Sequence, residues 1–130
     1  MFEIVEIPKI TDFRGSLTFI QDSDKLGFNI ESINIINNIN TIKPYCALNF
    51  NQLMIVLKGK VQLSFFDGTE KKYFTLDKPN LAIKVENFSW IEMNELFDNN
   101  SVMLIIKSKK NNLCKTIIDY KLFCDEISKS

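Results

Sequence analysis

Apolar and polar residues alternate with a period of two along most of this chain, and turn residues break the alternation at short intervals. Residues 2–7 set Phe2, Ile4, Val5 and Ile7 against Glu3 and Glu6, which predicts a strand ended by Pro8. Ser16 to Gln21 predicts a second strand, with Leu17 and Phe19 on one face. A polar loop containing Gly27 follows, and then a β-branched run from Ile30 to Ile39 that suits a strand better than a helix. Tyr45 to Phe50 puts Tyr45, Ala47 and Asn49 on one face and Cys46, Leu48 and Phe50 on the other. Gln52 to Leu57 is strongly apolar, Lys58-Gly59-Lys60 bends, and Val61 to Phe66 returns. Asp67-Gly68 is a hairpin signal leading into the alternating segment Glu70 to Leu76. Lys78-Pro79-Asn80 turns into two short strands, Leu81 to Val85 and Ser89 to Met93. Asp98-Asn99-Asn100 turns into Val102 to Lys107, and a polar break at Lys109 to Asn112 follows. Only Thr116 to Ile127 has helical character, with Ile117, Tyr120, Leu122, Phe123 and Ile127 near helical spacing.

Many short strands, with turns roughly every 8–12 residues, predict an all-β sandwich or jelly-roll barrel with a short C-terminal helical segment. No repeat, low-complexity linker or internal boundary is visible, so residues 1–130 are expected to form a single domain. A barrel of this size can hold one small ligand in its mouth.

Composition narrows the chemistry. The 45% hydrophobic fraction and eleven Phe suffice for a core. The net charge of +0 provides no field for nucleic acid or an anionic membrane, so neither is expected as a partner. No segment approaches the roughly 18 apolar residues of a membrane span, and the acidic opening MFEIVEIP does not predict a signal peptide. Three cysteines (Cys46, Cys114 and Cys124) fit a reducing cytoplasm better than a disulfide framework. The most informative count is zero histidine. Without it there is no imidazole metal site and no Ser-His or Cys-His nucleophile, and neither metal nor cofactor is expected. Acid–base work falls to Asp, Glu, Tyr, Lys, Cys or the substrate.

Arg14, the single arginine, stands in Asp12-Phe13-Arg14-Gly15-Ser16-Leu17. Its planar fork can grip phosphate or carboxylate with two parallel hydrogen bonds, and Gly15 would let the backbone bend beside a ligand. The plainer alternative is an ion pair with Asp12.

The opening from Ile7 to Ile20 resembles that of the sugar 3,4-ketoisomerases, small cupins acting on dTDP-4-keto-6-deoxyglucose. The resemblance continues in Gln52 to Val61, with its Gln…Gly strand pair, and in Asp67-Gly68. It goes on in Phe88-Ser89-Trp90-Ile91-Glu92, in Asp98 to Ser108, and in the closing Tyr120 and Phe123. It implies a cupin jelly-roll and a homodimer with an exchanged N-terminal strand. It also implies a reaction: the keto group moves from C4 to C3 through an enediol, and the product feeds an aminotransferase making 3-amino-3,6-dideoxy sugars of surface glycans such as O-antigen lipopolysaccharide.

The chain departs from the family at the catalytic strand. Where the family carries His-Ala-His-Lys, seven residues before the Gln, this chain has Tyr45, Cys46, Ala47 and Leu48. Lys43 is the nearest basic residue upstream. Asn34 and Asn37 stand at the family's aromatic positions, and Ile118 stands where it has a basic residue.

Tyr45 is therefore the first catalytic candidate, if a cation such as Lys43 or Lys60 lowers its pKa. The alternative is a core tyrosine with a satisfied hydroxyl. Glu92, on one face with Trp90, is the second catalytic candidate, because an indole raises a carboxylate's pKa; otherwise it is a rim residue. Arg14 is expected on the pyrophosphate, and Lys43 is expected among the substrate-binding residues. Asn49, Gln52, Lys60 and Tyr73 are expected to line one cavity, and Trp90 to stack on sugar or base. Cys46 reads as packing, and the lysines at 107, 109 and 110 read as a solvated face. Three functions fit: a dTDP-linked keto-sugar ketoisomerase with a rebuilt site, a non-catalytic cupin that binds a nucleotide sugar or serves as a partner subunit, and an isomerase of another keto-sugar.

Overall fold

The computed structural model describes residues 2–18, 20, 26–96 and 100–128. The strands in chain order are β1 (Phe2–Glu6), β2 (Lys9–Asp12), β3 (Gly15–Thr18), β4 (Ser32–Ile36), β5 (Tyr45–Ala47), β6 (Gln52–Lys58), β7 (Val61–Phe66), β8 (Lys71–Leu76), β9 (Leu81–Val85), β10 (Trp90–Glu95), β11 (Val102–Lys107) and β12 (Thr116–Ile117), followed by helix α1 (Tyr120–Ser128). One five-stranded sheet runs β1-β9-β6-β11-β4, and the other runs β12-β5-β10-β7-β8. β2 and β3 form a separate hairpin. The chain folds as the mostly-β, two-sheet cupin-like sandwich with a C-terminal helix that the alternation and the resemblance led us to expect.

The period of two explains the layering, because every other side chain of a strand faces the opposing sheet. Met54 and Val56 of β6, Leu63 and Phe65 of β7, Ile91 and Met93 of β10, and Met103 and Ile105 of β11 fill the space between the sheets. The alternate residues face outward and are covered too. Leu53, Ile55, Ala82 and Ile106 pack with Ile7, Leu26 and Phe28 on the back of the first sheet. Cys46, Trp90 and Ile117 pack with Phe123 of α1 on the back of the second. Both sheets thus bury apolar residues on two faces, which is why β6 and β11 read as continuous apolar runs.

Strand β2 was not foreseen. Its residues Lys9–Asp12 are all exposed and pair only with β3, so no buried face imposes a pattern on them. The expected helix from Thr116 begins at Tyr120, because Thr116 and Ile117 pair with Ala47 and Cys46 as β12. Phe19, Gln21, Asp98 and Asn99 lie outside the described residues.

Candidate functional site

Strand β5 sits between β12 and β10, and its alternation sorts the residues at 45–47. Tyr45 turns inward and packs against the inter-sheet core, while Cys46 turns outward beneath α1. Burial pushes the Cys46 thiol up to about 11, so it is unreactive packing near neutral pH. The Tyr45 hydroxyl donates to Gln52 Oε1 at 2.6 Å. Desolvation is the largest influence on Tyr45 and raises its pKa well above the usual phenol value, outweighing the Gln52 hydrogen bond, which lowers it. The phenol is therefore neutral and already directed at a partner. Gln52 is 0% exposed, and its Nε2 has no hydrogen-bond partner.

Tyr45 lines a cleft of about 340 Å³ between the sheets, with Ile36, Ile42, Phe50, Met93 and Ile105 as apolar walls. The polar lining is Asn34, Thr116 and Lys107. Asn34 and Asn111 exchange two amide hydrogen bonds, 3.1 and 2.9 Å. Lys107 was expected on a solvated face. It shares the strand parity of Met103 and Ile105, lines this cleft, and places its Nζ 5.3 Å from the centre of the Phe50 ring.

The remaining candidates are dispersed. Asn49 is occupied structurally: its amide donates to the Leu113 carbonyl at 3.0 Å and accepts from the Lys115 N–H at 2.9 Å. Tyr73 is exposed and lies under the Lys71 ammonium, 5.6 Å away, because its neighbours Phe74 and Leu76 take the inward positions on β8. Lys60 is an exposed residue of the β6–β7 turn, and Lys43 is exposed ahead of Pro44. Of Asn49, Gln52, Lys60 and Tyr73, the structure brings Gln52 to Tyr45.

Glu92 and Trp90 do share a face, and the indole Nε1 donates to Glu92 Oε1 at 3.3 Å. That face is the back of the second sheet, opposite to Tyr45. Trp90 is flanked there by Tyr120 at 5.2 Å and Phe123 at 5.5 Å, so its ring surface docks α1. Glu92 lines a separate cleft of about 500 Å³ with Ser64, Lys71 and Tyr120. The two expected proton carriers, Tyr45 and Glu92, therefore do not meet in one cleft.

Arg14 stands at the tip of the β2–β3 hairpin. Its Nη2 meets Asp12 Oδ2 at 2.8 Å, its backbone N–H donates to Oδ1 at 2.8 Å, and the side chain is 77% exposed. The Arg14 hydrogen bond holds the Asp12 carboxyl below its usual range. Gly15, at φ 135°, takes the positive-φ bend that closes the tip.

The family model described as FdtA, WxcM-like, C-terminal, matches residues 1–128. The chain belongs to this family of sugar 3,4-ketoisomerases. A curated relative from Aneurinibacillus thermoaerophilus, a TDP-4-oxo-6-deoxy-alpha-D-glucose-3,4-oxoisomerase, is 26% identical over 130 residues, covering 98% of this chain and 93% of the relative. The fold is similar to that of a sugar 3,4-ketoisomerase from Thermoanaerobacterium thermosaccharolyticum solved with TDP, with a TM-score of 0.86 at 23% identity, covering 98% of this chain and 95% of that one. A TDP-quinovose 3,4-ketoisomerase from Campylobacter jejuni also gives 0.86 at 22% identity, over 95% and 97% of the two chains. Among the described residues of this FdtA-family chain, no group of three or more Cys, Asp or Glu gathers as metal ligands. No helix among them is long and apolar enough to cross a membrane.

Proposed function

We propose that the chain is a nucleotide-sugar 3,4-ketoisomerase that converts dTDP-4-keto-6-deoxyglucose to a dTDP-3-keto-6-deoxyhexose, for the synthesis of 3-amino-3,6-dideoxy sugars of surface glycans. The carrying observation is a family match that spans residues 1–128. The cleft at Tyr45 supports it, lying on the strand where the family resemblance put catalysis. The C3 hydrogen of a 4-keto-sugar lies α to a carbonyl, so the substrate supplies part of the acidity. A base takes the C3 proton as the C4 oxygen is protonated, giving an enediol; the C3 hydroxyl then gives up its proton as C4 receives one, which leaves the keto group at C3. Tyr45 enters this reaction as a neutral phenol whose oxygen accepts from a substrate hydroxyl while its hydrogen stays on Gln52, and not as a base, because its burial favours the protonated form. We further propose a homodimer in which the β2–β3 hairpin reaches the second copy, carrying Arg14 toward a pyrophosphate. The unpaired thiols of Cys46, Cys114 and Cys124 support a reducing, cytoplasmic setting.

One observation favours a second reading, a cupin that binds a nucleotide sugar without isomerising it. Tyr45 and Glu92 lie on opposite faces of one sheet, and the chain has no histidine. An NMR time course with dTDP-4-keto-6-deoxyglucose in deuterated water separates the two. Isomerisation yields a 3-keto species carrying deuterium at C4, and its reversal places deuterium at C3 of the 4-keto sugar. Protein that binds dTDP yet exchanges no carbon-bound hydrogen is the binding module.

A further inference from the structure

We propose that Lys107, seconded by the Gln52 amide, is an oxyanion-holding pair of the Tyr45 cleft. The inference deepens the ketoisomerase reading and rests on it for the identity of the ligand, though not for the anion site itself.

The placement is rigid. Lys107 closes β11, where its backbone is paired on one side with Ser32 of β4 and on the other with Gln52 of β6. Its carbonyl also accepts from the Glu31 N–H at 3.0 Å. Directly opposed residues of antiparallel strands share a face, with Cβ atoms about 4.5–5.5 Å apart, so Lys107 and Gln52 are inward-facing neighbours. Each carries an unanswered donor. Gln52 Nε2 is buried without a partner. The Lys107 ammonium rests over the Phe50 ring, and no carboxylate among the described residues is seen to pair with it.

The chemistry of the lining has one sign. None of the residues around the cleft is an acid. The Tyr45 hydrogen is committed to Gln52 Oε1, and the Asn34 and Asn111 amides satisfy each other. What remains unanswered is a cation on the lining and, opposite it in register on β6 and buried behind the Tyr45 hydroxyl, an amide N–H pair. Buried donors without acceptors are unfavourable, and a half-buried ammonium over an aromatic ring is only partly compensated. An oxyanion held by Lys107 Nζ, with Gln52 Nε2 donating directly or through one bridging water, satisfies both. Two groups of a nucleotide keto-sugar offer that chemistry: a phosphate, and the enediolate oxygen formed when C3 loses its proton.

The test uses the full-length chain with Lys107→Met, Lys107→Arg, Gln52→Leu and Gln52→Glu, each first shown to be folded by its unfolding transition. Calorimetry measures binding of TDP and of inorganic pyrophosphate, and NMR measures deuterium entry from the keto-sugar. If the anion is phosphate, Lys107→Met weakens both ligands at least about tenfold and Lys107→Arg recovers most of the loss. If it is the enediolate, TDP affinity holds while deuterium entry falls by about a hundredfold or more at unchanged KM. Under either source, Gln52→Leu lowers the affected quantity, and Gln52→Glu, which keeps an acceptor for the Tyr45 hydroxyl but removes the N–H donors, lowers it too, whereas a merely structural amide would be rescued by the glutamate. Wild-type protein that exchanges deuterium while Lys107→Met matches it in binding and exchange overturns the proposal and leaves the ketoisomerase reading standing. Wild-type protein that binds pyrophosphate through Lys107 yet exchanges nothing does the reverse. Wild-type protein that does neither overturns both.

Discussion

Tyr45 shows how one substitution changes what a strand position can do. An imidazole titrates near neutral pH, whereas a phenol starts near 10 and moves further up when buried. Here desolvation raises it, and the 2.6 Å bond to Gln52 fixes the direction of its hydrogen. The sign follows from the neutral form being favoured in the fold. This contribution to stability is fully present below the unfolded value of 10.0 and is lost as pH rises toward the higher folded value. Tyr45→Phe should therefore lack that alkaline component. Near neutral pH it should also lose about 1–3 kcal/mol, because both ends of the buried Gln52 amide are then unpaired. Urea unfolding at pH 7 and pH 10.5 measures both effects. A variant as stable as the parent at pH 7 would show that the bond contributes nothing. In turnover, the parent should show no basic limb arising from Tyr45 below about pH 10.

The β7–β8 hairpin makes the corresponding argument for an element. Asp67 Oδ1 accepts from the Thr69 N–H at 2.9 Å, the Thr69 hydroxyl at 2.9 Å and the Glu70 N–H at 3.0 Å. The two backbone bonds are the largest influences, and they hold the carboxyl at about 2, against a model-peptide value of 3.8. A depressed carboxyl stabilises the fold above its unfolded pKa, and the contribution disappears as pH falls from about 4 to about 2. Thermal unfolding of Asp67→Asn should fall less steeply than the parent across that window. Parallel curves would remove the hairpin acid from the acid response. This hairpin was legible, because Asp-Gly between two alternating runs demands a tight turn. Other features were not, for identifiable reasons. Period two pairs Trp90 with Glu92 but cannot say which face of β10 they take, since Ile91 and Met93 are buried on the other. It placed Tyr73 in the cavity although Phe74 competes for the inward position. Lys107 was lost in a run of lysines, although its parity with Ile105 points it inward.

At the scale of the whole molecule, much apolar surface lacks a cover. On the back of the first sheet, Ile35 of β4 and Ile55 of β6 flank Leu104 in register, and Ile35 is 66% exposed. Ile33 and Leu57 extend the patch. The β2–β3 hairpin carries Ile10, Leu17 and Phe13, the last 98% exposed, and pairs with no third strand among the described residues. A lone two-stranded hairpin is marginally stable in water, and contiguous exposed apolar surface marks an interface. In the proposed homodimer a second copy would cover both features at once, with two-fold symmetry presenting the same patch twice. Sedimentation should therefore give twice the 15.1 kDa chain mass, and Ile35→Asp or Phe13→Asp should shift the protein toward monomer. A monomeric parent would sink the exchanged hairpin. The arrangement also bears on Arg14, which lies outside the lining of its own chain's Tyr45 cleft. If the hairpin serves the partner, Arg14→Ala and Tyr45→Phe chains that are each inactive should regain activity when refolded together. Half of the resulting dimers would be mixed and each would hold one intact site, so recovery should approach about a quarter of the parent. Recovery of nothing, from a mixture shown to contain mixed dimers, would place Arg14 and Tyr45 in the service of the same chain.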